Sequence, residues 1–443
     1  MLSIITLSIL VLLSIVLIVI LTSVTKLNAF ASLFIVALLL AMVALPDKDV
    51  VQILKEGFGS TMASIGFLII FGAIIAVVLE KTGGAISIAN YILSKTGHGK
   101  AASAMGITGF IVGLPIFCDS GYIIMSGLVK SFSTKAKIAL PFIAFVLATS
   151  LYSVHCLTPT HPGALAASGI LNANIGMLIL LGILFAIPAT VAAFFWIKWQ
   201  TRKNTYEETE PSKGEIGNEG QLPPVSLSLL PIATPLVLIA IGSLLAVMKV
   251  PESNFVLKGL AFIGQPIIAL LIGTFLSLFL LKNRAVKSIN SILESAIEKA
   301  GPILIVTGAG GMFGMVIKET GVGAYAGEFF LQTGLGLAVP FLIASILKTA
   351  QGSSTVAVIT AASFVAPMLP ALGLDSETGK LLAMISMGAG SMMVSHANDS
   401  YFWVISRFSG INSNTTLKVY STATIVMGIV TFLCVWLASF FIL

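Results

Sequence analysis

The sequence predicts an all-α polytopic membrane protein: two inverted repeats, each of five transmembrane helices plus one re-entrant hairpin. Three observations carry that prediction. First, 57% of the 443 residues are hydrophobic and only 9% charged, with a mean hydropathy of +1.05, whereas soluble chains carry about 25% charge. Second, ten stretches are charge-poor and suit the ~20-residue apolar helix that a ~30 Å bilayer core requires. Third, the second half of the chain matches the first at a nearly constant offset.

From the N-terminus, Met1 to Thr25 carries no charge and follows no basic segment, so it reads as a retained first helix at 3–23. Further crossings fall at 28–45, 61–79, 138–157 and 175–197, then at 226–248, 260–281, 301–317, 381–405 and 419–441. The stretches 101–129 and 335–369 are long and break near their middles at Cys118-Asp119-Ser120-Gly121 and Gln351-Gly352-Ser353-Ser354-Thr355. Both read as re-entrant hairpins, because irregular backbone at membrane depth needs protein or a wet cavity to satisfy it. Residues 47–60 and 282–300 carry apolar positions at helical spacing among charges and read as amphipathic helices along the interface, ordinary connectors being the alternative. The polar segment 200–225 is a cytoplasmic linker between a first repeat at 1–199 and a second at 226–443.

Glu80-Lys81-Thr82-Gly83 answers Lys318-Glu319-Thr320-Gly321 at an offset of 238. Ser168-Gly169-Ile170 answers Ser409-Gly410-Ile411 at 241, the offset that also relates His155 to His396. Five crossings and one hairpin per copy make the second copy upside down, the plan of secondary transporters. With both termini outside, cytoplasmic loops hold 17 Lys and Arg and external loops six, leaving Lys348 inside a hairpin. That split satisfies the positive-inside rule.

Several functional classes drop out. The net charge of +6 is scattered over segment ends, and no cluster suits a nucleic-acid backbone. Cys118, Cys156 and Cys434 lie far apart without CxxC or zinc spacing, so no disulfide framework, metal or cofactor is expected. Gly308 to Gly314 misses GxGxxG by one position, and its glycines suit close helix packing. The Ser, His and Asp near 395–400 lack a GxSxG elbow, and the histidines lack HExxH spacing.

Of eighteen acidic residues, only Asp119 and Asp399 fall away from loops and segment ends. A charge at the bilayer centre costs about 2.5–3.5 kcal/mol on insertion scales, so both are candidates for carrying a proton. Asp119 stands at the first hairpin's turn, with Ser120 and Gly121 opening the returning helix. Its alternative role is an N-cap. Asp399 offers the same proton role or accepts hydrogen bonds from substrate hydroxyls, and its alternative is a structural pair with His396. Gln351, Gly352, Ser353, Ser354 and Thr355 present hydroxyls and free amides at a helix N-terminus, which suits a carboxylate. Lys348 either neutralises an anionic substrate or snorkels to the external surface. The run Ser153 to Gly163, with His155 and His161, ends its helix at two prolines. It either binds a cation or polyol or is an external turn with two solvated histidines.

With these residues in place, the chain resembles the gluconate permease (GntP-type) family of the ion-transporter superfamily over nearly its whole length. The resemblance is densest in Gly113 to Gly121, Ser153 to His155 through His161-Pro162-Gly163, Gln351 to Ala357, and Gly388 to Ser391 through Ser395 to Ser400. It implies proton-coupled import of a small hydroxylated carboxylate, gluconate above all, with idonate, fructuronate or D-serine preferred by some members. It also implies elevator-type scaffold and transport domains and a homodimer in the bacterial inner membrane. Cys118 and Ser120 stand where larger apolar residues are expected, Ala164 where proline is common, and Asn174 replaces a frequent Asp. The first two bear on substrate choice more than on mechanism.

The expectation is therefore a proton symporter for gluconate or a similar sugar acid. Asp119 and Asp399 carry protons, and Ser120, Gly121 and residues 351–355 bind the carboxylate. His155, His161, His396 and Asn398 meet hydroxyls or relay protons, and Lys348 is the charge partner. The partners are a small anion, H+ and the bilayer, with Na+ the less favoured coupling ion. The rivals are a sodium-coupled carrier, a passive channel and an intramembrane enzyme. The last is disfavoured because catalysis needs one site, not two mirrored half-sites.

Overall fold

The computed structural model describes residues 3–96, 101–203, 222–247, 255–323, 325 and 335–442, and its secondary-structure elements are helices. Most of the expected linker and the loop lysines Lys100, Lys213 and Lys249 lie outside the described residues. The first half runs α1 (Ile4–Val19), α2 (Ala29–Ala44), α3 (Val50–Thr82), α4 (Gly84–Thr96), α5 (Ala101–Gly113), α6 (Cys118–Ala136), α7 (Leu140–Leu157), α8 (Pro162–Leu171) and α9 (Ile175–Lys203). The second half runs α10 (Val225–Val247), α11 (Phe255–Ile263), α12 (Pro266–Leu278), α13 (Val286–Thr320), α14 (Ala338–Gln351) and α15 (Ser354–Val365). It closes with α16 (Glu377–Met392), α17 (Ser400–Ser409), α18 (Ser413–Thr416) and α19 (Thr422–Ile442).

Among the described residues, seven helical stretches are long and apolar enough to cross a bilayer, or eight if α11 and α12, bent by 70°, form one span. Ten crossings were expected, and the difference has local causes. The 260–281 crossing is the bent pair, reset at Pro266, which opens α12 where its missing N–H costs nothing. The 381–405 crossing is split between α16 and α17 by residues 393–399. α2 has 16 residues, only ~24 Å of helix at 1.5 Å per residue.

The separate interfacial helices at 47–60 and 282–300 are corrected. α3 is one helix of 33 residues and α13 one of 35, each covering both the amphipathic segment and the crossing. Asp49 starts α3 by accepting from the Gln52 N–H at 2.9 Å. α3 contains no proline, and α13 runs on through Pro302 just past its amphipathic segment, because a full break in an apolar medium would strand backbone groups.

α3 and α13 run antiparallel. Lys48, just before α3, pairs with Glu319 near the end of α13 at 2.7 Å, while Glu80 near the end of α3 pairs with Lys299 at 2.6 Å. Gly57 permits this approach, since a Cβ there would lie 2.7 Å from the Gly311 carbonyl oxygen. The glycine-rich run of α13 is thus a packing surface, as its sequence suggested. Both helices end at a left-handed glycine, Gly83 at φ 76° and Gly321 at φ 73°.

α7 is buried along nearly its whole length. The α5–α6 hairpin packs on α7, the α14–α15 hairpin packs on α16, and α9 and α19 pack on each other and on this centre. The C-terminal ends of α7 and α16 meet, with the Tyr152 hydroxyl donating to the Ser391 carbonyl at 3.2 Å. The breaks that follow them therefore lie side by side.

Candidate functional site

The two hairpin turns and the two helix breaks converge on one cavity of ≈ 320 Å³. Its walls are Phe117 to Ser120 from the α5–α6 turn, Tyr152 and His155 from α7, and Pro162. Ser353 to Thr355 come from the α14–α15 turn, Asp399 to Tyr401 from the start of α17, and Lys299 and Ile303 from α13. That volume suits a small molecule. A cleft of ≈ 40 Å³ between Pro159, Pro231, Pro235 and Pro266 has no titratable lining side chain and offers no such chemistry.

Asp119 is the second residue of α6. Phe117 occupies the N-cap, no side chain caps that helix, and Asp119 Oδ1 is buried with no hydrogen-bond partner among the described residues. The N-cap reading is thus corrected, and Asp119 lines the cavity with no ion-pair partner among the described residues. Asp399 is the opposite case. It caps α17 by accepting from the Tyr401 N–H at 3.0 Å, and its Oδ2 accepts from Ser395 Oγ at 2.5 Å and Lys348 Nζ at 2.6 Å.

Lys348 is fully buried and also donates to the Gly352 carbonyl. Both snorkelling and an Asp399–His396 pair are therefore overturned. A buried ammonium needs a counter-charge and acceptors, and the carboxylate of Asp399 and the hairpin-tip carbonyl supply them. Gly352 turns the chain at φ 83°, and a Cβ there would overlap the Asn398 carbonyl oxygen. Ser353 caps α15 through the Val356 N–H at 3.3 Å.

The histidines divide. His155 lines the cavity, its Nε2 3.5 Å from Thr355 Oγ1 and its Nδ1 without a partner among the described residues. His161 is buried and its Nε2–H donates to the Gly113 carbonyl at 2.6 Å, closing the end of α5. The solvated external turn is thus overturned. His396 Nε2–H donates to Thr349 O at 3.1 Å, and Asn398 Nδ2 donates to Thr349 O at 2.8 Å and Ala350 O at 3.3 Å. These are last-turn carbonyls of α14, which lack intrahelical donors.

Of the expected site residues, the cavity wall contains Asp119, Ser120, His155, Ser353, Ser354, Thr355 and Asp399. Gly121, His161, Lys348, Gln351, Gly352, His396 and Asn398 stand behind it and shape it. The two Gln351 amide atoms are buried without partners among the described residues. Sequence reasoning missed Lys299, Tyr152 and Tyr401. Tyr152 and Tyr401 stack with ring centroids 5.6 Å apart, and the Lys348 ammonium lies 5.9 Å from the Tyr152 ring. The available signal was proximity in sequence, since Tyr152 precedes His155 and Tyr401 follows Asp399.

Relatives match over almost the full length. The inner membrane permease YgbN of Escherichia coli (strain K12) is 31% identical over 428 residues, covering 93% of each chain. The high-affinity gluconate transporter of the same organism is 30% identical over 412 residues, 91% of this chain and 92% of that one. Its D-serine transporter DsdX is 28% identical over 439 residues, 97% and 98% of the two chains. Among solved structures, the YdaH transporter of Alcanivorax borkumensis shares the fold with a TM-score of 0.63, over 87% of this chain and 88% of that one, at 14% identity. The model of the GntP family permeases matches residues 5–441. The chain belongs to the GntP family of permeases, which are membrane transporters and not enzymes.

Proposed function

We propose that this protein is a secondary active transporter that carries gluconate or a similar small sugar acid into the cell together with a proton. The cavity carries this reading. Ser120, Ser354 and Thr355 offer hydroxyls for a polyhydroxylated acid, and Asp119 is the one lining carboxylate without an internal counter-charge. An anion entering alone adds charge to an apolar setting, which is expensive. A proton taken up on Asp119 with the anion leaves the cavity's charge unchanged, and that balance is the physical basis of symport.

The same reading treats 1–199 and 226–443 as inverted repeats. The antiparallel α3 and α13, and the order of hairpin then broken helix in each half, support it. The hairpins and broken helices move as one unit against the other helices, in a homodimer of the bacterial cytoplasmic membrane with both termini outside. Sodium coupling has less support, because oxygens of the kind Na+ binds, Gly352 O and Asp399 Oδ2, are already held by Lys348. A second reading, D-serine or another amino hydroxy acid, is favoured by the D-serine relative and by Asp119, which suits an ammonium.

Labelled gluconate uptake into sealed proteoliposomes tests the reading. Accumulation driven by an inward proton gradient and collapsed by a protonophore is the expected result. Accumulation under a sodium gradient alone would refute proton coupling, and uptake of D-serine in place of gluconate would shift the substrate.

A further inference from the structure

Glu80 and Lys299 stand at the boundary between two spaces. Lys299 lines the ≈ 320 Å³ cavity, while Glu80 lines a wider space of ≈ 1660 Å³ whose wall also carries Lys81, Lys282 and Lys287. Their 2.6 Å ion pair joins the end of α3 to α13 across that boundary. Lys299 Nζ also lies 3.5 Å from Ser120 Oγ, beside Asp119. The side chains are 36% and 29% exposed, so the pair keeps contact with water, and such pairs hold the fold only weakly. It can open without unfolding its surroundings.

We propose that Lys299 receives the carboxylate of the transported anion, which takes the place of the Glu80 carboxylate on its ammonium. The inference rests on the transporter reading above and adds to it the group that selects for negative charge. The exchange is carboxylate for carboxylate, so the ammonium is never left bare. It brings the substrate's first carbons beside Ser120, whose hydroxyl then meets the substrate. Released, Glu80 remains on the lysine-bearing wall of the wider space. Lys348 cannot play this part, because Asp399 and the Gly352 carbonyl hold it fully buried. Lys299 is the only lysine or arginine among the cavity's described lining residues, and its partner is exchangeable.

The test is counterflow exchange of labelled gluconate, and separately of labelled D-serine, by the purified full chain and its Lys299→Gln, Lys299→Arg and Glu80→Gln variants. Removing a charge-assisted contact made in the bound state raises half-saturation with little change in maximal rate. Lys299→Gln is expected to raise it about tenfold and Lys299→Arg to restore most of it, because binding to a charged group is the interaction at stake. Glu80→Gln, which frees the ammonium, is expected to lower it. Wild-type half-saturation in Lys299→Gln, or loss of maximal rate alone, overturns the inference and leaves the transporter reading standing. If Lys299→Gln does not fold, Glu80→Gln decides, and an unchanged half-saturation overturns the inference. A folded wild-type protein that exchanges neither probe contradicts both substrate readings above, and the inference falls with them.

Discussion

Lys348 and Asp399 form a 2.6 Å ion pair in which the lysine side chain is 0% exposed and the aspartate 7%. The pair ties the tip of the α14–α15 hairpin to the break between α16 and α17, and the His396 and Asn398 bonds to the end of α14 stitch the same two elements. The α5–α6 hairpin has no such pair, since residues 101–129 contain no lysine or arginine. One hairpin thus brings its own cation and the other brings Asp119, so the two turns that face the cavity differ in charge.

Breaking this pair strands a charge in the interior. Lys348→Met and Asp399→Asn are each expected to lower stability by about 3–5 kcal/mol. The double variant is expected to lose much less than the sum, because neither charge is left unpaired. Thermal unfolding of the purified protein in detergent checks this, and strictly additive losses would show that the two side chains are not coupled.

Asp119→Asn removes the one lining carboxylate that lacks an ion-pair partner among the described residues. It is expected to abolish accumulation driven by a pH gradient while leaving exchange of unlabelled for labelled substrate at equal concentrations. A mutant that still accumulates substrate at the wild-type level assigns the proton to another group. Asp399→Asn is expected to damage both modes, because it unseats Lys348 and the cap of α17 as well.

The positions of the breaks and turns were legible because prolines, glycines and stranded polar residues interrupt apolar runs locally. Asp119 and Asp399 were legible for the same reason: a carboxylate in such a run has no ordinary place. What joins them was not. Lys348 and Asp399 are 51 residues apart, and no local pattern says that a hairpin lysine turns inward instead of reaching the surface. His396 and Asn398 read as ligands, yet they serve the free carbonyls of α14, which only tertiary packing brings near. Lys299 was counted as a loop charge because the amphipathic start of α13 looks like an interfacial helix. Its helix continues inward, and the lysine reaches the cavity.

Gly352 and Gly373 allow a paired experiment. Both have positive φ, 83° and 69°, but only Gly352 faces backbone within reach of a Cβ, while Gly373 faces open space. Gly373→Ala is expected to cost only the left-handed strain, about 1–2 kcal/mol. Gly352→Ala adds the overlap with the Asn398 carbonyl, a further ~1–3 kcal/mol, and is expected to reduce uptake by displacing Ser353 and Ser354. Equal unfolding shifts for the two variants would mean that the tip of the hairpin does not seat against Asn398.

His155 and His161 lie with ring centroids 4.8 Å apart, so their variants separate binding from scaffolding within one small region. His155 reaches the cavity and keeps Nδ1 unpartnered among the described residues, whereas His161 donates to Gly113 and stands behind the wall. His161→Ala leaves a buried carbonyl unpaired and is expected to cost about 1–3 kcal/mol of stability with half-saturation near wild type. His155→Ala is expected to weaken substrate half-saturation by roughly threefold to tenfold, the worth of one ordinary hydrogen bond, with a smaller effect on unfolding. The two readouts should cross, with stability following His161 and affinity following His155. If affinity instead follows His161, the substrate lies beyond the Pro162 side of the wall, and the cavity bounded by Asp119 and Thr355 is not where it binds.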